Sequence, residues 1–187
     1  MNRLLVTTAL ALAAAPALAA DRYVLDASHA QIVFSYDHLG YSTGFGMFSG
    51  FGGEILWDKA DPAASSVTVA FPVTTMLTGW EARFAHFMSP DFFGGRDAVT
   101  FASTAITVTG ENTADITGDL TMNGVTQPVT LAARLNKAGM HPLENREWAG
   151  FDASVTLSRS AFDLGAYVPF IGDAVEVRIS IEAMKAD

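Results

Sequence analysis

A strict alternation of apolar and polar residues is the feature that most constrains how this chain can fold. Near the C-terminus, Val175, Val177, Ile179 and Ile181 alternate with charged or polar residues. Successive side chains of a β-strand point to opposite faces, so this pattern predicts a strand with one apolar and one polar face. The same period of two recurs in residues 31–37, 67–71, 116–122, 125–135 and 151–158.

Turn residues separate these predicted strands, and Asn123-Gly124 is the clearest example. Both central residues of a type I′ turn need positive φ, which Asn and Gly adopt readily, so this pair predicts a β-hairpin. Only residues 80–88 have apolar side chains at helical spacing, which predicts one short helix. Many short strands with alternating faces predict an all-β sandwich or barrel.

A cluster of glycines helps to choose between these two architectures. Gly44, Gly46, Gly50, Gly52 and Gly53 follow the first alternating segment closely. Glycine inside a strand marks bends, bulges or close approaches, so the cluster predicts a long strand that bends sharply enough to close a small barrel. The interior of a barrel of about eight strands is either packed or able to hold one small ligand. Periodicity leaves both possibilities open.

The N-terminus predicts export. Arg3 precedes an apolar run, and Ala17-Leu18-Ala19 has the small residues of a cleavage site. This order of parts is typical of a secretory signal peptide. We therefore expect residues 1–19 to be cleaved, residues 20–187 to form a single domain, and the mature protein to be periplasmic.

Charge and residue usage exclude several classes of function. The formal net charge of -9 disfavours nucleic acids and anionic lipid surfaces as partners. No later apolar run is long enough for an integral membrane span. The chain has no cysteine, and no two of its four histidines have the spacing of metal ligands, so no metal site is predicted.

Several longer segments resemble the YceI-like family of exported polyisoprenoid-binding proteins. The most specific are "DHLGYSTGFGMFSGFGG" (37–53) and "GDLTMNGVTQPVTL" (118–131), with "LTGWEARFAHFMSPDFF" (77–93) and "FIGDAVEVRISIEA" (170–183) beside them. The resemblance extends over about residues 21–183. One departure is visible, because the family's Arg-Asp-x-His-Leu motif reads Arg83-Phe84-Ala85-His86-Phe87 here. Any polar role of the missing acid is therefore lost or moved.

The resemblance implies an all-β, antiparallel, up-and-down lipocalin-like barrel of about eight strands with one short α-helix. It also implies an elongated apolar tunnel for a long isoprenoid, a periplasmic location and a possible homodimer. No covalent cofactor is expected, and the bound molecule is expected to be an isoprenoid, a quinone or a fatty-acid-like lipid.

Aromatic and other apolar residues are the best candidates for the tunnel lining, because ligand pockets are mostly apolar with few polar groups. The predicted lining residues are Phe34, Tyr36, Phe45, Phe48, Phe51, Phe71, Met76, Phe87, Phe101, Leu120, Met122 and Phe151. The predicted head-group or mouth residues are His38, Arg83, His86 and Arg159. Ordinary core packing for any single phenylalanine, and a surface ion pair for Arg83 with Glu81 or Asp91, remain alternatives.

The main hypothesis is a non-catalytic protein that binds or carries a lipid. A second hypothesis is an isomerase or hydrolase that acts on a hydrophobic substrate in the same tunnel, with His38 or His86 as the titrating group. A third is an accessory protein that sequesters the quinone of a membrane redox partner. An outer-membrane barrel fits less well, because the helical segment has no place in it.

Overall fold

The structure, a computed structural model, describes residues 20–94 and 98–187. Over these residues it contains eleven β-strands and one α-helix. The strands are β1 (Asp21–Leu25), β2 (Gln31–His38), β3 (Ser42–Ser49), β4 (Gly52–Trp57), β5 (Ser66–Pro72), β6 (Met76–Leu77), β7 (Ala98–Gly110), β8 (Thr113–Met122), β9 (Val125–Met140), β10 (Glu147–Ser158) and β11 (Ile171–Lys185). The helix α1 spans Glu81–Phe87. The predicted signal peptide, residues 1–19, lies outside the described residues.

The strands form one antiparallel sheet that closes into a barrel. β1 and β2 both pair with β11 and so share one position around the barrel. β3 and β4 share the next position, and β5 and β6 share the third. With β7 to β11, each paired with the next, the described strands occupy eight positions. The predicted up-and-down lipocalin-like barrel with one short helix is confirmed.

The hairpin between β8 and β9 forms where the sequence predicts it. Asn123 and Gly124 have φ values of 54° and 78°, both in the left-handed region that a type I′ turn requires. The pairing Met122↔Val125 directly flanks this two-residue turn. The turn therefore fixes the register of β8 and β9, which pair without a bulge between them.

The predicted bend in the glycine-rich segment lies at Gly50. Gly50 has a φ of 75°, and the chain passes there from β3 to β4. The ring of Phe51, only 3% exposed, enters the core at this corner. The segment is thus two strands in one barrel position rather than the single long strand that the sequence predicts.

The two ends of the barrel differ. At one end, here called the helix end, α1 packs against the barrel because the Phe87 ring meets the rings of Phe34 and Tyr36 edge-on. Phe84, which replaces the family's acid, packs against the core from the same helix. The opposite end carries the turn between β7 and β8, which is a different hairpin from the β8–β9 hairpin described above. It is called the hairpin end.

Ion pairs reinforce the hairpin end. The Lys59 ammonium lies 2.9 Å from the Glu147 carboxylate, and the Lys185 ammonium lies 2.8 Å from Asp21. The hydrogen bond to Glu147 raises the pKa of Lys59 to about 12. These pairs connect β1 and the residues after β4 to the last two strands, where the barrel closes.

Candidate functional site

The barrel is hollow. Val175, Val177, Ile179 and Ile181 face inward from β11, yet the structure leaves them half-buried rather than buried. Inward residues of a filled barrel are close-packed and almost fully buried. All four line an internal cavity, so their remaining exposed surface faces the cavity. The sequence predicts the inward face of this strand, and the structure shows that the space it faces is unfilled.

The cavity has a volume of about 1390 Å³, which exceeds the roughly 300–1,000 Å³ usual for sites of drug-sized ligands. Its walls include Val99 at the start of β7 and Gly110 at the end of the same strand. Because Val99 and Gly110 are 11 residues apart and a strand rises about 3.3 Å per residue, the cavity follows about 36 Å of strand. It is therefore an elongated tunnel.

All twelve predicted lining residues lie along this tunnel. Phe48, Phe51, Phe71 and Met76 are also buried in the hydrophobic core. The rings of the three phenylalanines form a continuous series. The centroids of Phe48 and Phe71 are 5.0 Å apart, and those of Phe51 and Phe71 are 5.1 Å apart. Contact of these residues with a ligand stays a prediction.

Phe45 differs from the other predicted lining residues. Its register partner is Ser35, which lies on the face of β2 opposite Phe34 and Tyr36. The Phe45 side chain is 58% exposed, so its ring lies on the outside of the barrel although the residue borders the cavity. Because Gly44 and Gly46 occupy the inward positions, the alternation of β3 places Phe45 on the outer face. Phe45 therefore borders the cavity from the outer side of the strand, and its contact with a ligand stays a prediction.

The glycines of β3 make room for aromatic rings rather than bending the strand. A Cβ at Gly46 would overlap the Phe34 ring, and a Cβ at Gly44 would overlap the Tyr36 ring. Both rings lie across the neighbouring strand, over the glycine directly opposite. A Cβ at Gly118 would likewise overlap the Phe101 ring, which reaches it diagonally because Gly118 is paired with Ser103. The missing side chains therefore set where the tunnel wall is aromatic.

At the helix end, α1 places Arg83 and His86 beside the tunnel. The Arg83 Nη1 donates a hydrogen bond of 3.1 Å to the Thr78 carbonyl oxygen. Within residues 20–94 and 98–187, no carboxylate lies within 4.0 Å of its guanidinium, so the pairs with Glu81 or Asp91 considered above do not form. Arg83 can therefore offer charged donors to a ligand at this mouth. His38, at the end of β2, is exposed on the same rim.

His86 belongs to a small polar cluster at the mouth. The His86 Nε2 lies 3.5 Å from Asp91 Oδ2, and the Tyr167 hydroxyl donates a 2.7 Å hydrogen bond to the same carboxylate oxygen. The hydrogen bond from Tyr167 is the main cause that lowers the pKa of Asp91, and the one from His86 adds to it. The same hydrogen bond to Asp91 raises the pKa of Tyr167. The cluster joins the segment after α1 to the loop before β11.

Arg159 has a structural role in the described contacts. It is 8% exposed, and its guanidinium donates to the backbone carbonyls of Gly172, Ile171 and Leu164. Desolvation by burial lowers the pKa of Arg159, and the charge of Asp173 opposes that effect. The residue clamps the start of β11 to the turn after β10. Arg159 differs from Arg83 in that all three of its nitrogens donate to backbone carbonyls, whereas Arg83 uses one nitrogen in this way.

Charged residues along the tunnel are distributed unequally. Arg83 and Arg159 lie at the helix end, whereas Glu111 and Asp152 lie towards the hairpin end. Asp152 is paired there with Arg134, with 3.3 Å between their charged groups. Arg134 also lines the cavity, but its guanidinium is paired with this carboxylate, whereas Arg83 at the helix end has no carboxylate within 4.0 Å among the described residues. The helix end therefore suits a polar head group with acceptor atoms better than the hairpin end does.

The structure brings together three potential metal ligands that the sequence does not indicate. One ligand atom each from Asp26, His29 and Glu182 lies within 4.8 Å of the others. The His29 Nδ1 is 2.5 Å from Asp26, and this hydrogen bond is the main cause that raises the pKa of His29. Glu182 is distant in sequence, so only the pairing of β11 could reveal the group. The three residues form a polar surface cluster away from the tunnel, in which the Glu182 carboxylate lies 4.0 Å from the His29 Nδ1.

Sequence reasoning missed several tunnel residues at the helix end. Thr78, Trp80, Tyr167 and Phe170 all line the cavity there. They lie outside the alternating strands, so the period of two gives no information about them. The aromatic residues in the uncharged segment 164–172 are the one sequence feature that points to this loop.

Over residues 20–94 and 98–187, the structure has no helix with the length and apolar character needed to cross a bilayer. A model of the YceI-like domain matches residues 23–183. The UPF0312 protein of Ectopseudomonas mendocina (strain ymp) is 40% identical over 179 residues, which cover 94% of this chain and 93% of that protein. The UPF0312 protein of Pseudomonas fluorescens (strain SBW25) is 39% identical over 189 residues, which cover 97% of this chain and 95% of that protein.

Solved structures share the fold. Burkholderia cenocepacia BcnA superposes with a TM-score of 0.76 at 22% identity, covering 84% of this chain and 98% of BcnA. A polyisoprenoid binding domain from Saccharophagus degradans has a TM-score of 0.67 at 12% identity, covering 88% of this chain and 98% of that domain. At these identities the structures support the fold alone, but the domain match and the 40% identical relative agree over almost the whole barrel. The chain belongs to the YceI-like family.

Proposed function

We propose that this protein binds and carries a long-chain isoprenoid or a similar amphiphilic lipid in its tunnel, without catalysis, after export to the periplasm. The observation that carries the proposal is the elongated cavity of about 1390 Å³ inside an apolar barrel wall. An unfilled apolar space of this size is costly unless a ligand occupies it, because its walls lose packing contacts.

Hydrocarbon binding in such a tunnel needs little directional chemistry. Transfer of each methylene from water to an apolar environment gains about 0.8 kcal/mol. A chain of ten or more carbons therefore gains enough free energy to offset its ordering. The Saccharophagus degradans domain described as polyisoprenoid binding has the same fold, which supports a prenyl chain as the class of ligand.

The polar head is expected at the helix end. Arg83 has donors left after its hydrogen bond to Thr78, and His86 and His38 lie on the same rim. A quinone, an alcohol or a carboxylate can accept hydrogen bonds from these groups. This arrangement orients the ligand, with its tail directed towards the hairpin end.

The first experiment identifies the native ligand. The protein is purified from the periplasm without added lipid or detergent, extracted with organic solvent, and the extract is analysed by mass spectrometry. We expect a long-chain lipid at close to one molecule per barrel. A protein that releases no lipid and takes none up from a panel of prenyl and acyl probes would contradict the proposal.

A matched pair of variants then tests the tunnel itself. Ala133 faces inward from β9 and lines the cavity, whereas its neighbour Ala132 lies on the exposed outer face. Ala133→Trp fills the bore and is expected to reduce lipid uptake strongly, while Ala132→Trp adds the same side chain outside and leaves uptake unchanged. Equal uptake by both folded variants would contradict binding inside the barrel.

The enzyme hypothesis is tested in the same preparation. His86 is the candidate catalytic group at the mouth, with a side chain that is 52% exposed. Non-catalytic binding predicts that the extracted lipid is chemically identical before and after long incubation with the protein. Conversion of the lipid that disappears in His86→Ala would favour an enzyme.

A further inference from the structure

The helix end of the barrel exposes a ring of large apolar side chains, here called the collar. It consists of Leu39, Tyr41, Phe45, Trp80, Tyr167 and Phe170. Tyr41 is 91% exposed, Phe170 71% and Trp80 64%. Single exposed apolar residues are common, but a contiguous group of them marks an interaction surface.

The collar surrounds the mouth of the tunnel. All of its members except Tyr41 also line the cavity. The Leu39 backbone N–H donates a 3.1 Å hydrogen bond to the Phe170 carbonyl, so two of its segments are in direct contact. The Tyr167 ring lies 6.0 Å from the ring of His86 on α1, which begins directly after Trp80. A lipid that enters or leaves the tunnel at the helix end therefore passes the collar residues that line the cavity on its inner side, Leu39, Trp80, Tyr167 and Phe170.

The charge of this surface differs from that of the whole chain. Residues 39–53, 62–80 and 164–172 contain no charged residue, although the chain carries a net charge of -9. The nearby Asp91 carboxylate already accepts a hydrogen bond from Tyr167. The Arg83 guanidinium, which has no carboxylate within 4.0 Å among the described residues, is the cation beside the collar. An uncharged apolar surface with a free cation complements a bilayer interface, whose acyl chains lie beneath phosphate groups.

We propose that the collar docks on the surface of a phospholipid bilayer and places the mouth of the tunnel against the membrane. This inference rests on the proposed lipid-carrying function. Every methylene exposed to water costs free energy, so a long lipid exchanges readily only when the mouth meets the acyl region. Trp and Tyr are enriched at membrane interfaces, because their rings are apolar and their N–H or O–H groups remain hydrated. A second copy of the chain on the same surface would instead cover the mouth and block exchange.

The test measures partitioning onto phosphatidylcholine vesicles by flotation of the full mature protein. Trp80→Ala combined with Phe170→Ala removes two exposed rings of the collar. We expect its partition coefficient to fall about tenfold, because two aromatic side chains no longer transfer to the interface. Leu143→Ala is the matched control, since Leu143 is 89% exposed but lies in the loop between β9 and β10. It should partition like the wild type.

Three results would overturn the inference. In the first, the wild type does not partition onto the vesicles. In the second, the collar variant partitions as strongly as the wild type. In the third, analytical ultracentrifugation shows a dimer for the wild type and a monomer for the collar variant. A fluorescent prenyl lipid added from ethanol separates this failure from failure of the proposed function. Tyr41→Ala serves for this comparison, because Tyr41 is the collar residue that does not line the cavity. If the tunnel binds lipid and the collar is its docking surface, Tyr41→Ala binds the added lipid as the wild type does but loads more slowly from vesicles. If the tunnel does not bind lipid, neither the wild type nor the variant takes up the added lipid.

Discussion

Replacing Gly46 by alanine tests how the tunnel wall is built. Gly46 lies in β3 directly opposite Phe34, and a Cβ there would overlap the Cζ, Cε1 and Cε2 atoms of the Phe34 ring. The backbone at Gly46 does not have positive φ, so alanine adds no backbone strain. The added methyl group therefore acts only by displacing the ring into the tunnel.

The magnitude follows from what the ring loses. The ring centroid of Phe34 lies 5.7 Å from that of Phe48 and 6.4 Å from that of Phe87. Each such aromatic pair contributes about 0.5–1.5 kcal/mol to the free energy of unfolding. Replacing glycine where the backbone is compatible returns about 0.4–1 kcal/mol by reducing the entropy of the unfolded chain. We expect the free energy of unfolding to fall by about 1–2 kcal/mol, within the range for overpacked cores. For a domain of this size, that loss lowers the melting temperature by about 2–8 °C.

Gly52→Ala is the matched control. Gly52 also lies in a strand, β4, but nothing is within 4 Å of a Cβ built there. This variant should be as stable as the wild type or slightly more stable, because only the unfolded chain changes. Urea unfolding followed by circular dichroism measures both variants, and uptake of a fluorescent prenyl lipid reports the narrowed tunnel. If Gly46→Ala and Gly52→Ala have equal stability and equal uptake, the ring does not occupy the place of the missing side chain.

Two further predictions concern Arg159 and His29. Arg159→Met leaves three backbone carbonyls without their donor, but it also removes the cost of burying the guanidinium charge. We expect the free energy of unfolding, measured with urea, to fall by about 2–4 kcal/mol as the net result of both effects. A stable Arg159→Met protein that had lost lipid binding would instead assign the residue to the head group. Hydrogen bonding to Asp26 raises the pKa of His29 above 6.5, so its contribution to stability is complete below pH 6.5 and disappears as the pH rises through the raised pKa. His29→Gln should therefore lower the melting temperature at pH 5 but not at pH 9, and an equal change at both pH values would refute the pairing.

Local patterns predicted most of the fold. The alternation in residues 175–181 placed one face of β11 inward, and the Asn123-Gly124 turn fixed the β8–β9 hairpin. Helical spacing in residues 80–88 located α1 to within one residue at each end. These features depend on the geometry of adjacent residues, which the sequence contains directly.

Roles that depend on distant partners were predicted less well. Arg159 was assigned to the mouth because it is cationic, but the carbonyls of β11 use its donors. Phe45 was assigned to the lining because it is aromatic, but the register with β2 turns it outward. Neither partner is adjacent in sequence, so the chemical type of a residue alone could not decide its role.

The sequence by itself determined that this chain forms strands with one apolar face, because successive side chains of a strand point to opposite faces. Such alternation is typical of antiparallel sheets, which have one face on the core and one in water. It did not determine what the apolar faces enclose. Eight positions around the barrel and the rings seated over Gly44 and Gly46 hold the walls apart, and side chains on opposite walls do not reach across the space. Whether that space is filled depends on distances between strands far apart in the chain, and therefore only the tertiary structure decided that the barrel is hollow.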